Sequence, residues 1–440
     1  MRQKPTLRFW QILHMNVGFF GIQYSFGLQQ SAVNPIYDFL GASPDEIPLL
    51  NLAGPVTGLV VQPIIGALSD KTWHPRWGRR KPYFLIGALL CSLALIAFPF
   101  SSSLWMAAGL LWILDAGNNM AMEPYRAFVA DKLNDEQRPL GFQMQSFFTG
   151  FGQTLANLSL FVFPLIIMGK TGSLPTWVFA SFFLGAICSV GSIWWSMRTT
   201  TEIPPSPEEL AHMKAASKGF LEPLQEIASA IRVMPKIMWQ LALVYLFQWY
   251  ALFCYWQNSS KSIALSLWNA TPQSNPEAYE QAVRWTGLVN GWYNVVTFLV
   301  AFALVGVAKK YSPRITHAIC LTAAALGFLA FPHLTDKSLL FFAITGFGIG
   351  WASMMGIPYL IVVGDIPKER YGVYMGIINM MIVIPMIIQN LTFGYILKEV
   401  LHNDARNAVT LAGVFLLCSA LLTLRMKPKA KLIEDGSRLS

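Results

Sequence analysis

A stripe of polar side chains runs through one apolar stretch of the chain, residues 104–131. Asp115, Asn118, Asn119 and Arg126 follow one another there at the spacing of one face of an α-helix. Burying an ionisable group in a membrane is costly, so such groups are usually functional. Low polarity favours the neutral form of a carboxyl group, and a nearby guanidinium favours the charged form. The stripe therefore predicts a proton-binding site at Asp115 that responds to whether Arg126 engages it.

The two charged residues of this stripe do not reach each other along a straight helix. The separation of Asp115 from Arg126 corresponds to about 16 Å of helix axis. A water chain or a conformational change would have to connect them. The alternative interpretation is structural, because each residue could instead pair with another helix and fix the fold.

The composition places this stripe in a membrane protein. Of the 440 residues, 54% are hydrophobic and only 12% are charged, which is far from the balance of a soluble domain. Apolar segments of about 20 residues are long enough to cross a bilayer. We predict an all-α integral membrane protein with twelve transmembrane helices. The predicted spans are residues 9–38, 48–70, 82–101, 104–130, 140–168, 174–198, 237–264, 282–308, 314–333, 338–364, 371–397 and 405–426.

The net charge of +9 is distributed unevenly along the chain. Most of the 32 Lys and Arg fall on one side of the membrane if both termini lie on that side. Because positively charged loops stay in the cytoplasm, this pattern predicts cytoplasmic termini and an even number of spans. We expect a multi-pass protein of the plasma (inner) membrane, with the lipid bilayer and not nucleic acid as the partner of its basic surface.

Polar stripes recur in other spans and predict a cavity inside the helical bundle. In the first span, Asn16, Gln23 and Asn34 belong to one stripe of amides and small residues. A helix of this kind faces a water-filled cavity or other helices and not lipid. The five cysteines stand singly in apolar segments, a spacing that predicts neither a metal site nor a disulfide framework.

The two halves of the chain carry matching motifs. The Pro-Tyr pair at residue 124 is followed by Asp131, and the Pro-Tyr pair at residue 358 is followed at the same distance by Asp365. This match indicates duplication of a six-span unit, which is the plan of a transporter that rocks around a midplane site. The predicted units are a first bundle at 1–198, a cytoplasmic linker at 199–236 and a second bundle at 237–440. Within the linker, residues 221–233 are amphipathic and predict a helix on the membrane surface.

Three motifs stand close together in the first four spans. They read GPVTGLVVQPIIGALSD at residues 54–70, RWGRRKPY at 76–83 and LDAGNNMAMEPYRAFVAD at 114–131. Together they resemble signatures of the major facilitator superfamily, and within it the sucrose transporter branch of the glycoside-pentoside-hexuronide cation symporters.

The resemblance implies a proton-coupled symporter that imports a disaccharide, such as sucrose or maltose, by alternating access. By the same resemblance, Asp115 binds the proton and a sugar hydroxyl, and Arg126 controls the protonation of Asp115. Sugar recognition would use amides that bind pairs of hydroxyls and aromatic faces that stack on the ring. The candidate substrate-binding residues are Gln23, Asn118, Asn119, Gln153, Asn157, Trp256, Asn258, Asn294 and Asn390.

Charged residues at the cytoplasmic ends of the spans predict a gate. Asp70 ends the second span, where its charge can stabilise the N-terminus of the eleventh span through the helix dipole. Arg79 or Arg80 is expected to pair with Asp131 when the cytoplasmic side is closed. The mirror pair in the second half is Asp365 with Arg314.

Two other functions remain open from the sequence. A sodium-coupled glycoside symporter of the melibiose type would need several carboxylates around one cation, and we expect only Asp115 at depth in the first half. A sugar sensor that kept the fold without transport is the other alternative. An enzyme is not expected, because the chain has no zinc-protease, nucleophile-elbow or phosphate-loop motif. We expect a monomer without a cofactor, with the proton as the coupling ion.

Overall fold

The computed structural model is almost entirely helical. It describes residues 4–134, 136–172, 174–208, 210, 222–362, 365–366 and 371–427. The helices are α1 (Phe9–Phe39), α2 (Ile47–Leu50), α3 (Ala53–Lys71), α4 (Lys81–Ala97), α5 (Leu104–Lys132), α6 (Arg138–Ile166), α7 (Thr176–Thr199), α8 (Glu222–Arg232), α9 (Lys236–Trp268), α10 (Pro276–Lys310), α11 (Pro313–Ala330), α12 (Leu339–Met354), α13 (Ile357–Val362), α14 (Tyr371–Tyr395) and α15 (Ala405–Arg425). Short 3₁₀ turns at Phe98–Phe100 and Phe331–His333 extend α4 and α11, a π-helical turn at Ile396–Val400 extends α14, and strands β1 (Lys170–Thr171) and β2 (Leu174–Pro175) pair in an antiparallel hairpin.

The long helices occupy the twelve predicted spans, with ends that differ by a few residues. By length and composition alone, eight helices in the described part of the chain are apolar enough to cross a membrane. The other crossings are α1, α5, α10 and the pair formed by α12 and α13. Polar and charged residues lower the hydropathy of the first three, and α12 has only 16 residues. The polar helices are those expected to face an interior cavity.

One predicted span is not a continuous helix. The expectation for residues 338–364 was a single crossing, but α12 ends at Met354 and α13 begins at Ile357. Pro358 follows the junction, and a proline lacks a main-chain N–H and clashes with the carbonyl four residues before it. Gly356 lies at the junction itself, and glycine loses more conformational freedom than any other residue when it enters a helix. Together these residues explain why the tenth crossing is split.

Helices α4 and α5 pack with their backbones in contact. A Cβ atom added to Gly117 would lie 2.7 Å from the main-chain nitrogen of Cys91 and 2.8 Å from the carbonyl oxygen of Gly87. A Cβ added to Gly87 would lie 2.6 Å from the carbonyl oxygen of Gly117. Small residues permit this close approach between membrane helices. The contact fixes the position of α5, and therefore of Asp115, within the first half.

We expect Gly117→Ala to lower the thermal stability of the detergent-purified protein. The added methyl group has to displace main-chain atoms of α4, which costs about 1–3 kcal/mol. Gly109→Ala, on the same helix, is the matched control because a Cβ there meets nothing within 4 Å. In both variants, alanine stabilises the helix by about 1 kcal/mol relative to glycine. Thermal unfolding followed by tryptophan fluorescence measures both variants, and equal melting temperatures would contradict the packing argument.

The start of α1 and the end of α15 lie on the same face of the molecule, named here the termini face. At the start of α1, the main-chain nitrogen of Leu7 donates to Gln137 Oε1 at 2.9 Å, and Gln137 Nε2 donates back to the Leu7 carbonyl at 2.7 Å. At the end of α15, Arg314 Nη1 donates to the Met426 carbonyl at 2.6 Å. Gln137 lies in the loop between α5 and α6, and Arg314 lies at the start of α11, just after the loop that follows α10. Both loops are on this face. The other face of the molecule is named the opposite face.

A helix is present in the segment where the linker was predicted to be helical. It is α8, which packs on α14, where Tyr374 Oη donates to the carbonyl of Ala230 at 3.3 Å. Its location along a membrane surface stays a prediction.

Candidate functional site

The first six long helices and the last six meet toward the opposite face. Asn290 Nδ2 donates to Ser31 Oγ at 3.1 Å, and Trp177 Nε1 donates to Glu280 Oε1 at 2.7 Å. Other polar contacts between these two sets of helices, such as Lys261 with Asp38 and Lys398 with Asp45, also lie toward that face. The structure is therefore closed at the opposite face.

Asp115 is fully buried in α5. Gln29 Nε2 donates to its Oδ1 at 2.8 Å, whereas Oδ2 accepts no hydrogen bond from any described group. Gly54 of α3 faces the carboxylate, since a Cβ added there would lie 3.5 Å from Oδ2. A charged carboxylate that is buried and half-satisfied is costly. A proton on Oδ2 would remove that charge without disturbing the bond from Gln29.

The two asparagines that follow Asp115 have different surroundings. Asn119 Nδ2 donates to the Asp115 carbonyl at 2.9 Å and to Thr57 Oγ1 at 3.1 Å, and its Oδ1 accepts from Gln62 Nε2 at 2.6 Å. Asn118 Nδ2 instead donates to Ser25 Oγ of α1 at 2.9 Å. Successive helical residues point about 100° apart. Asn119 therefore faces α3 beside the acid, and Asn118 holds α5 against α1.

A small cavity lined by amides and apolar groups lies between the two sets of helices next to Asp115. Its volume is about 50 Å³. Gln29, which binds Asp115, forms part of its wall, and Trp256 contributes an aromatic face. The Trp256 ring packs edge-on against Trp351 with centroids 5.5 Å apart, which holds the indole in place. The lining residues are Gln29, Gln30, Asn34, Asn51, Gly54, Pro55, Phe253, Trp256 and Gln257.

Three of the predicted substrate-binding residues form a chain of amides between α1 and α6. Gln153 Nε2 donates to Gln23 Oε1 at 2.9 Å, and Asn157 Nδ2 donates to the Gln153 carbonyl at 2.8 Å. All three side chains are buried, and Asn157 Oδ1 has no described partner. The structure brings these residues together, but they do not line the cavity beside Asp115.

In the second half, the predicted amides divide into two groups. Asn258 Nδ2 and Asn294 Nδ2 donate to carbonyls one turn earlier in their own helices, both at 2.9 Å. Asn390 instead reaches the cavity wall, because its Oδ1 accepts from Gln257 Nε2 at 2.7 Å. Its Nδ2 donates to the Asn51 carbonyl of the first half at 3.4 Å. Trp256 lines the cavity between the halves, and Asn390 contacts both its wall and the first half.

Arg126 lies nearer the termini face than Asp115 does. Its side chain is 46% exposed, and Nη1 lies 3.9 Å from Glu123 Oε2. The structure therefore places Arg126 in an ion pair on its own helix and not in contact with Asp115. Control of Asp115 by Arg126 stays a prediction.

The arginines of the loop after α3 form ion pairs within the first half. Arg80 Nε lies 3.0 Å from Asp131 Oδ2, and Arg79 Nη2 lies 2.9 Å from Asp70 Oδ1. Glu202 accepts hydrogen bonds from the main-chain nitrogens of Arg79, Arg80 and Lys81, at 2.7–3.2 Å. The Arg80–Asp131 pair expected from the sequence is thus present.

The state of the protein in which that pair forms stays a prediction. The pair was expected when the cytoplasmic side is closed. Both residues belong to the first half, so the pair itself does not span the two sets of helices. The predicted interaction of Asp70 with the eleventh span and the pairing of Arg314 with Asp365 stay predictions.

Comparison with known proteins decides the family. A family model described as Major Facilitator Superfamily matches residues 15–390. The chain belongs to this superfamily. Sucrose transport protein SUT5 of Oryza sativa subsp. indica is 22% identical over 484 residues, covering 95% of this chain and 87% of that protein. Sucrose transport protein SUT1 of Oryza sativa subsp. japonica is 24% identical over 476 residues, covering 93% and 86%.

Solved structures of this superfamily share the fold. The partially occluded inward-open xylose transporter XylE from E. coli superposes with a TM-score of 0.67 at 13% identity, covering 98% of this chain and 99% of that one. The nucleoside transporter NupG superposes with a TM-score of 0.69 at 12% identity, covering 94% and 98%. The predicted all-α, twelve-helix membrane fold is confirmed, as is the prediction of a membrane transporter and not an enzyme.

One buried charged pair in this superfamily member was not anticipated. Asp38 of α1 is 5% exposed and Lys261 of α9 is 7% exposed, with 3.2 Å between Oδ1 and Nζ. Asp115 is therefore not the only buried carboxylate of the first half, but Asp38 stands next to the C-terminal end of α1 and not in mid-helix as Asp115 does. The sequence carried a signal, since Asp38 stands one turn after Asn34 and continues the polar stripe of the first span.

Cavity-lining amides were also missed as candidate site residues. Gln29, Asn51 and Gln257 line the cavity, and Gln29 makes the direct contact with Asp115. Gln29 does not lie on the helical face of Gln23 and Asn34, so its orientation toward α5 follows from how α1 is rotated in the bundle. A single stripe drawn along one helix does not reveal that rotation.

Proposed function

We propose that this chain is a proton-coupled symporter that imports a disaccharide by alternating access, with Asp115 as the protonation site. Its two bundles are residues 1–198 and 237–440, joined by a cytoplasmic linker at 199–236. Both termini lie in the cytoplasm of a cell whose plasma (inner) membrane holds the protein as a monomer. The opposite face is then the outer face, and the contacts that close it mark an inward-facing state.

The observation that carries this proposal is the half-satisfied carboxylate of Asp115 beside the cavity. Oδ1 is held by Gln29, and Oδ2 is left for a proton. Once protonated, Oδ2 becomes a hydrogen-bond donor that a sugar hydroxyl can accept. Proton and sugar therefore support each other's binding. After the cavity opens to the cytoplasm, water and the guanidinium of Arg126 favour the charged carboxylate, and loss of the proton removes the donor from the sugar.

Disaccharide recognition is supported by the lining of the cavity and by the curated relatives, which are sucrose transport proteins. Amides from both bundles offer paired donors and acceptors for hydroxyls, and Trp256 offers an apolar face for a sugar ring. An α-glucoside such as sucrose or maltose fits this chemistry. The cavity of about 50 Å³ is far below the roughly 300 Å³ of a typical ligand pocket. Binding therefore requires the bundles to move apart at one face, as alternating access does.

Uptake of labelled sucrose into liposomes that contain the purified protein tests this function. We expect accumulation when the lumen is more alkaline than the bath, at about tenfold for each pH unit with one proton per sugar. Unlabelled maltose and other α-glucosides should compete, and β-galactosides should not. Accumulation that follows a sodium gradient and ignores the pH gradient would instead favour the melibiose type. Binding of sugar without uptake would identify a sensor.

A further inference from the structure

Asp38, Lys261 and Tyr279 form a buried polar cluster at the outer end of the contact between the bundles. One carboxylate oxygen of Asp38 lies 3.2 Å from Lys261 Nζ, and the other accepts a hydrogen bond from Tyr279 Oη. The three side chains are 5%, 7% and 0% exposed. The Tyr279 ring also packs against Phe39, with centroids 5.7 Å apart. Asp38 belongs to the first bundle, and both of its partners belong to the second.

The cluster is the last step of a ladder along one face of α1. Ser31 Oγ accepts from Asn290 Nδ2 at 3.1 Å, and Asn34 Nδ2 donates to the Trp256 carbonyl at 3.5 Å. Asp38 follows one turn later, so the three residues share a helical face. Each step joins the first bundle to the second. The only fully ionic step of the ladder is the one nearest the outer end.

Separating this cluster is costly in a way that separating the neutral steps is not. When the bundles part at the outer face, Asp38 loses both partners at once and Lys261 loses its counter-ion. In the open state water hydrates both charges, so what is lost is the coupling of the pair, which can be large for close charge pairs buried at an interface. Neutral hydrogen bonds cost much less to exchange for water. The closed cluster should therefore stabilise the inward-facing state relative to the outward-facing state.

We propose that Asp38, Lys261 and Tyr279 are the outer latch of the transport cycle, whose closure stabilises the inward-facing state. The inference rests on the alternating access of the proposed function, but not on the identity of the solute or of the coupling ion. Each turn of the cycle must break and remake the latch. Weakening it should therefore favour the outward-facing state.

Distances across the outer face test the latch. Nitroxide labels at Ser102 and Gln273, which are exposed outer-loop positions of opposite bundles, report the opening by pulsed electron resonance. The five native cysteines are first replaced by alanine in a background that keeps wild-type thermal stability. The measurement is made without sugar and without a pH gradient, so failure of sucrose or proton transport leaves it valid. Lys261→Met leaves the Asp38 carboxylate buried without its counter-ion in the closed state, so it is expected to raise the ratio of open to closed distances about tenfold or more.

Two further variants make the test specific. Lys398→Met removes another ion pair between the bundles, in which Lys398 Nζ lies 3.9 Å from Asp45 Oδ2. The side chains of Lys398 and Asp45 are 58% and 28% exposed, and exposed ion pairs contribute little to stability. It should leave the distances unchanged. Exchanging the charges, Asp38→Lys with Lys261→Asp, should restore the closed distance. An unchanged distribution in Lys261→Met, or an equal shift in Lys398→Met, would overturn the latch. If Lys261→Met does not fold, Tyr279→Phe provides the same readout with a smaller shift in the same direction.

Discussion

Replacing Asp115 with asparagine is expected to abolish disaccharide accumulation driven by a pH gradient while sugar exchange across the membrane continues. The amide has the shape of the carboxylate, and its oxygen can still accept the 2.8 Å hydrogen bond from Gln29. It cannot bind or release a proton, so it imitates the protonated acid permanently. The measurements are uptake under an imposed pH gradient and counterflow of labelled against unlabelled sucrose, in the same liposomes. Relative to the wild type, accumulation in the variant should be lower by a factor of about ten for each pH unit of the imposed gradient.

A control variant separates this effect from the loss of any carboxylate. Asp336→Asn removes an exposed acid that accepts a hydrogen bond from the main chain of Ser338 in an outer loop, and both assays should stay at the wild-type level. An Asp115→Asn variant that still accumulates sucrose against its gradient and still acidifies the lumen of loaded liposomes would show that the proton binds elsewhere. Loss of counterflow together with accumulation would assign Asp115 to sugar binding alone.

The helical plan could be predicted because hydrophobic length is a local property. A bilayer requires about 20 apolar residues in a row, and the observed spans follow that rule. The exception is the crossing that is split between Met354 and Ile357, where a proline stands two residues after a glycine. Pro124 stands in the matching position of the first half and lies inside an unbroken helix. The sequence motif alone therefore did not determine the break.

Only those features of the candidate site that depend on a single helix could be predicted from the sequence. Asp115 and Asn119 share a face, and the structure places both against α3 and the cavity region. Asn118 was grouped with them but contacts α1, because one helical step turns it by about 100°. The pairing of Asp38 with Lys261 joins residues 223 positions apart. Such a contact depends on which helices meet between the bundles, and periodicity within a helix carries no information about that.

Replacing Arg80 with methionine is expected to destabilise the protein by about 2 kcal/mol and to reduce uptake strongly. The Arg80 side chain is 6% exposed and binds two carboxylates, Asp70 and Asp131, which lose their shared counter-ion in the variant. Arg79→Met is the matched control. Arg79 is 29% exposed and pairs with Asp70 alone, so its loss should cost less than about 1 kcal/mol. Thermal unfolding and liposome uptake measure both variants.

The charge exchange Arg80→Asp with Asp131→Arg determines what the pair does. Both residues belong to the first bundle, so the structure favours a clamp that holds the ends of α3, α4 and α5 together in every state of the cycle. A clamp predicts that stability and uptake fall together in the single variants and recover together in the exchange. A gate between the bundles predicts that uptake falls while the melting temperature stays constant, because a gate acts on the balance of two folded states. Parallel loss and parallel recovery would therefore show that the Arg80–Asp131 pair holds the first bundle together and does not act as a gate.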